Sequence, residues 1–170
     1  MYPSVILKGE GASASIHSLT VARGRVWKDG GAKAIHLAPN TASHIVSKSI
    51  SADGGVSVYR GLVRVARGAR GAAASVKCDS LILDGRSVAF TYPRNEVEEE
   101  EASVVHEAFV GRLSKEALFY LRSRGLREGE ARRLLLLGYF GDILGMLPAE
   151  YKLILRKVLE LEFEELGGYG

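Results

Sequence analysis

The sequence predicts a mainly β chain with a C-terminal α region, and three observations carry this. From Ser4 to about Val110, short apolar and β-branched runs alternate with Gly, Asp, Asn and Ser, which marks strands separated by turns rather than helices. Asp29-Gly30-Gly31 recurs as Asp53-Gly54-Gly55, 24 residues further on, and a fixed period in that range points to a solenoid. From Ser114 onward the apolar residues fall at helical spacing.

The predicted strands follow in order as SVILKG, HIVSKSI, VSVYRGLVRVA, ASVKCDSLILDG and SVVHEAFVG. Gly and Asn at the corners accept backbone angles that a Cβ would oppose. A β-sandwich with tight hairpins would use the same turns, so the repeat leaves both architectures open. The acidic run RNEVEEEE, Arg94 to Glu101, reads as a solvated loop or strand edge that discourages pairing, or as a metal-attracting rim. Ser114 is the N-cap expected for KEALFYLRSR, with a stop at Gly125. A second helix is expected from Glu128 to about Leu144. Pro148 opens a third, which is expected to bury Tyr151, Ile154, Leu155, Val158 and Leu159 and to end near Gly167-Gly168. Phe140 reads as core. Helices placed after a solenoid can cap its open end or offer a face to a partner.

With 170 residues, 46% of them hydrophobic, the chain is long enough to bury a core. Its charge is uneven. Residues 1–94 carry 13 Lys/Arg against 5 Asp/Glu, and residues 95–170 carry 10 against 15. The basic residues are scattered singly with no aromatic platform between them, so a nucleic-acid partner is not expected. No apolar run reaches membrane-spanning length. The start lacks the basic and apolar segments of a secretory signal, and one cysteine forms no internal disulfide; a cytoplasmic location is expected. Gln is absent beside abundant Glu and Arg, a balance expected of a hyperthermophilic source.

Cys78 is the only cysteine. It shares a strand face with Val76 and Ser80 and reads either as a small buried hydrophobe or as a thiol kept for its chemistry. His106 and Glu107 are adjacent on a strand, so only one of them looks inward. Each belongs to a residue type that ligates metals. His36 and His44 flank the turn HLAPNTASH, and His17 has no obvious partner. One cysteine cannot hold a cluster alone, so a cluster would need other ligands or a second chain. No CxxC, HxxxH, P-loop or GxSxG occurs. The acids lie in one run rather than at coil-spaced positions, unlike a sugar-cleaving β-helix, and a Cys78–His106 nucleophile pair is the other enzymatic possibility. The chain is expected not to be an enzyme.

Long segments of the sequence carry a resemblance. They are YPSVILKGEGA, DGGAKAIHLAPNTASHIVSKSISADGG, YRGLVRVARGARGAAASVKCDSLILDG, TYPRNEVEEEEASVVHEAFVGRLSKEALFYLRSRGL and EGEARRLLLLGYF. Together they resemble the SufB/SufD family of iron–sulfur cluster assembly scaffolds, most closely the C-terminal part of SufB. The resemblance implies a right-handed parallel β-helix over residues 1–112 and a small helical domain over 113–170. It implies that Cys78 and Glu107 are metal ligands and that His106 joins them in holding a transient iron–sulfur cluster at a subunit interface. It also implies two partners. One is a SufC-type ATPase on the C-terminal helices; the other is a SufD-like or second SufB-like subunit on the β-helix. A SufD-like subunit that docks the ATPase without holding a cluster is the alternative. SufB proteins also carry more coils upstream, with a sulfur-receiving cysteine that has no counterpart here.

Overall fold

A computed structural model describes the backbone of residues 1–167 and the side chains of 1–164. The chain divides into two compact units, Met1–Gly111 and Arg112–Gly170.

The first unit holds eight strands: β1 (Ser4–Leu7), β2 (Ser13–Arg23), β3 (Trp27–His36), β4 (Ala42–Ala52), β5 (Val56–Val65), β6 (Ala73–Ile82), β7 (Val88–Val97) and β8 (Ser103–Gly111). They form two parallel sheets, ordered β1-β3-β5-β7 and β2-β4-β6-β8. Each strand pairs with the one two places on, so the chain winds as a β-solenoid of about four turns. Parallel pairing throughout excludes the sandwich, whose hairpins are antiparallel. The interior is narrow and filled by small and β-branched residues such as Ala32, Ala34, Ile45, Val63, Val65 and Val76. Serines line it too. Ser49 Oγ donates to Ser80 Oγ at 2.8 Å, and Ser51 Oγ donates to Ser57 Oγ at 2.9 Å. Matching these hydroxyls with one another removes most of the cost of burying them.

The register corrects the expected period. Ser4 lies opposite Lys33, and Lys33 lies opposite Leu62, a step of 29 residues. Val56 lies opposite Val88, a step of 32. The 24-residue spacing of DGG is therefore no coil repeat. Asp53-Gly54-Gly55 is a corner, with Gly54 at φ +85°, where a side chain would be strained. Asp29-Gly30-Gly31 lies inside β3. There Gly31 is required for a different reason: a Cβ would overlap the Arg60 carbonyl of the next coil.

The acidic run begins as the strand edge, one of its two solvated readings. Its first four residues belong to β7, the edge strand of its sheet. Pro93 is tolerated on that edge, where a missing N–H costs least. Arg94 pairs with Glu96 at 2.6 Å and Arg64 with Glu98 at 3.4 Å. Glu99 accepts from the Gly68 amide at 2.8 Å, and that bond holds its carboxyl below the usual range. The run ties successive coils together.

The second unit contains α1 (Lys115–Ser123), α2 (Glu128–Tyr139), α3 (Gly141–Gly145) and α4 (Ala149–Gly167). Ser114 caps α1, its hydroxyl accepting from the Ala117 amide at 3.0 Å. Gly125 follows the helix at φ +93°, as expected of a stop. The single helix expected from Glu128 to Leu144 is broken at Phe140, which ends α2 and starts α3. Phe140 is fully buried and stacks on Phe163 of α4, with ring centroids 6.2 Å apart. The face of α4 differs from the expectation. Leu159 and Phe163 are buried, whereas Tyr151, Ile154 and Val158 are more than half exposed. Helical period alone does not choose which of two apolar stripes turns inward. Gly168, expected at the helix stop, lies outside the described residues.

Candidate functional site

Cys78 lies in the middle of β6. In the sheet it lies opposite Ser47 of β4 and Ala108 of β8. Alternation along β6 points it inward with Ala74 and Val76, and its side chain is 2% exposed. His106 of β8 lies opposite Val76, so it faces the same interior. Its Nε2 approaches the Cys78 Sγ at 3.6 Å. Depending on the tautomer, the thiol donates to Nε2 or Nε2–H donates to sulfur. The His106 Nδ1 is buried without a partner.

Glu107 lies opposite Lys77 and is exposed. The pleat that brings His106 inward turns Glu107 outward. The structure therefore joins Cys78 with His106 and does not bring Glu107 to them. Among the described residues no group of three or more His, Cys, Asp or Glu is placed to hold a metal ion.

Sequence reasoning passed over a third member. Tyr59 of β5 belongs to the same buried cluster as Cys78 and is 7% exposed. Its hydroxyl meets no partner with hydrogen-bond geometry, and Cys78 is the polar group that acts on it. The ring folds over Gly61, where a Cβ would come within 2.8 Å of Cε1. An aromatic two places before a glycine on one strand face is the signal that was available. Phe109 and Gly111 repeat it on β8.

The other histidines do not join the site. His36 is fully buried, with Nδ1 on the Thr41 hydroxyl and Nε2 on the Ser43 hydroxyl, both at 2.9 Å. Both ring nitrogens are spent on closing a corner, and burial pushes its pKa down. His17 and His44 meet edge to face, with ring centroids 6.0 Å apart.

Burial sets the electrostatics of the site. It pushes the Cys78 thiol up to about 12; the neighbouring Tyr59 opposes this and Asp79 adds to it. Burial also raises Tyr59 and lowers His106. The resting site is thus a neutral thiol beside a neutral imidazole. A pH dependence follows. An unfolded cysteine releases its proton near pH 9 and the folded one near 12, so the unfolded state is favoured as it ionises first. The stability this thiol protects is complete below about pH 9 and is lost as pH rises toward 12. Urea midpoints at pH 8 and pH 11 should fall further apart for wild type than for Cys78→Ala. Equal falls would show that Cys78 is not held protonated.

Fold and site together define a parallel β-solenoid with one interior thiol paired to an imidazole, followed by a helical unit. Residues 1–139 match the family model described as SUF system FeS cluster assembly, SufBD core domain. The chain is 48% identical over 163 residues to an iron–sulfur cluster assembly SufBD family protein of Staphylococcus saprophyticus. It is 45% identical over 163 residues to the iron–sulfur cluster assembly protein SufB of Bacillus subtilis. Each alignment covers 96% of this chain and 35% of the relative, so the chain spans about a third of the length of these relatives. The chain belongs to the SufBD family of the SUF iron–sulfur cluster assembly system. No helix among the described residues is long and apolar enough to cross a membrane.

Proposed function

We propose that this chain is a SufB-like scaffold on which an iron–sulfur cluster is assembled, and that it is not itself an enzyme. The observation that carries the reading is the 3.6 Å separation of Cys78 Sγ and His106 Nε2. A tetrahedral ion bound at about 2.3 Å to sulfur and about 2.0–2.1 Å to nitrogen spaces those two atoms by about 3.6 Å. That match in spacing is what supports reading the two side chains as two donors of such a site. Thiolate and imidazole are also donors that suit iron. Cys78 must give up its proton when iron arrives, and the positive ion itself drives that loss.

Two donors leave a site half made. β8 is the edge strand of its sheet, so a second β-solenoid subunit laid along that edge supplies the remaining ligands. Glu107, on the outer face of β8, serves as a carboxylate ligand for iron entering from that side. The helices α1 to α4 dock a SufC-type ATPase, whose cycle opens the buried thiol. One observation favours a second reading, a SufD-like subunit that pairs and docks without holding a cluster. Cys78 is almost fully buried, and a closed solenoid keeps it from iron.

Anaerobic reconstitution with ferrous iron and sulfide separates the two readings. The chain is tested alone and with a SufD-like or SufB-like subunit and a SufC-type ATPase. Counted iron and acid-labile sulfide in the complex, with the ATPase retained on the chain, are expected for the scaffold. A complex that forms but keeps no iron identifies the docking subunit.

A further inference from the structure

His106 Nδ1 and the Tyr59 hydroxyl are both buried and unmatched beside the thiol, and of the two Cys78 acts on the hydroxyl of Tyr59. The Tyr59 ring is well accounted for: it closes the interior over Gly61 and belongs to the buried cluster that also holds Val63, Val76 and Cys78. A phenylalanine would do this equally well. The oxygen is different. It is buried, 93% of the residue being out of solvent, and no protein atom meets it with full hydrogen-bond geometry, Cys78 being the polar group that acts on it. A buried donor left unmatched is costly, and such groups call for an explanation. The Cys78 sulfur is a poor acceptor while it carries its proton. It becomes a strong one when it turns anionic, because hydrogen bonds to charged acceptors are shorter and stronger.

We propose that Tyr59 is a positioning residue for Cys78: its O–H is reserved for the sulfur, orienting it toward His106 and donating to it once it binds metal. This rests on the reading of Cys78 as a ligand-bearing thiol. The geometry agrees on three sides. β6 carries the sulfur, β8 brings the imidazole at 3.6 Å, and β5, in the opposite sheet, brings the phenol. Hydroxyl and imidazole thereby approach the sulfur from separate strands, which fixes its direction in the way outer hydrogen bonds fix metal ligands generally. The glycine at 61 is part of the device, since a Cβ there would stand 3.0 Å from the Tyr59 oxygen and push it away.

The test uses Tyr59→Phe in the full chain, which removes one oxygen and keeps the ring. Because Cys78 is the only cysteine, two spectroscopic signals report on it alone. The first is the S–H stretch of the metal-free protein by infrared difference spectroscopy. The second is the sulfur-to-metal charge-transfer band on anaerobic titration with cobalt(II), a stand-in for ferrous iron. Tyr59→Phe is expected to fold with an unchanged or higher thermal midpoint and to shift the S–H stretch. It should also move the cobalt band to lower energy and weaken cobalt binding roughly tenfold. An S–H stretch and a cobalt affinity that both match wild type would overturn the role given to Tyr59 and leave the scaffold reading intact. If wild type in complex with its partner subunit and ATPase shows no sulfur–cobalt band while the S–H stretch still shifts, the scaffold reading falls. The Tyr59 contact would then stand as a property of the thiol alone.

Discussion

Cys78→Ala is expected to abolish iron–sulfur cluster assembly while leaving the chain folded. The substitution removes a sulfur from a packed interior, and losses of this size typically cost on the order of 1 kcal/mol. Ala74 and Val76 on the same face show that small residues fit there. The chemical loss is total, because no second thiol exists to replace the first. Iron and acid-labile sulfide per chain should fall to background in the reconstituted complex, with circular dichroism and denaturant midpoint near wild type. His106→Ala should lower iron retention strongly, since it removes the second donor. Glu107→Ala should act more weakly, because its carboxylate stands on the other face of β8. Full cluster content in Cys78→Ala would remove Cys78 from the ligand set. A stronger effect from Glu107 than from His106 would mean that iron binds from the outer face of the edge.

Gly31→Ala is expected to prevent folding of the β-solenoid. The added methyl would overlap the carbonyl of Arg60 in the neighbouring coil, which is backbone and cannot rotate away. The two strands β3 and β5 would have to separate where the register places Gly31 opposite Arg60. Backbone clashes of this kind belong to the short list of changes that exceed about 4 kcal/mol. That is a large part of the total stability of a domain this size. The variant should be recovered as insoluble protein, or as a soluble one without a cooperative thermal transition. Gly85→Ala is the control. A Cβ at that turn meets no atom within 4 Å, and its transition should stay close to wild type. A Gly31→Ala chain that melts normally would show that β3 and β5 do not pack as described.

Much of the fold was legible in the sequence. Turn residues between short apolar runs marked the strands, and Ser114 with Gly125 marked the first helix, because these are local chemistries of backbone and cap. The period was misread because the same three letters, DGG, sit at different places in the coil, one inside a strand and one at a corner. At Gly54 the need is a left-handed corner. At Gly31 it is the close approach of a carbonyl that only the neighbouring coil supplies. The buried face of α4 was misread for a similar reason: Tyr151, Ile154 and Val158 obey the helical period as well as Leu159 and Phe163 do. Only packing against Phe140 selects between them.

The candidate site divides along the same line. The sequence by itself determined that one thiol had to carry whatever sulfur chemistry this chain performs, and that His106 and Glu107 face opposite ways. Its family followed from long ordered segments rather than from any short motif. Only the tertiary structure decided which of the two faces Cys78. It also brought Tyr59 to that sulfur from 19 positions away in the chain and set the thiol near 12 by burial. The physical reason is that strand alternation is a local rule. The residues that meet across a solenoid interior are set instead by the register of coils about thirty residues apart, which no single strand encodes.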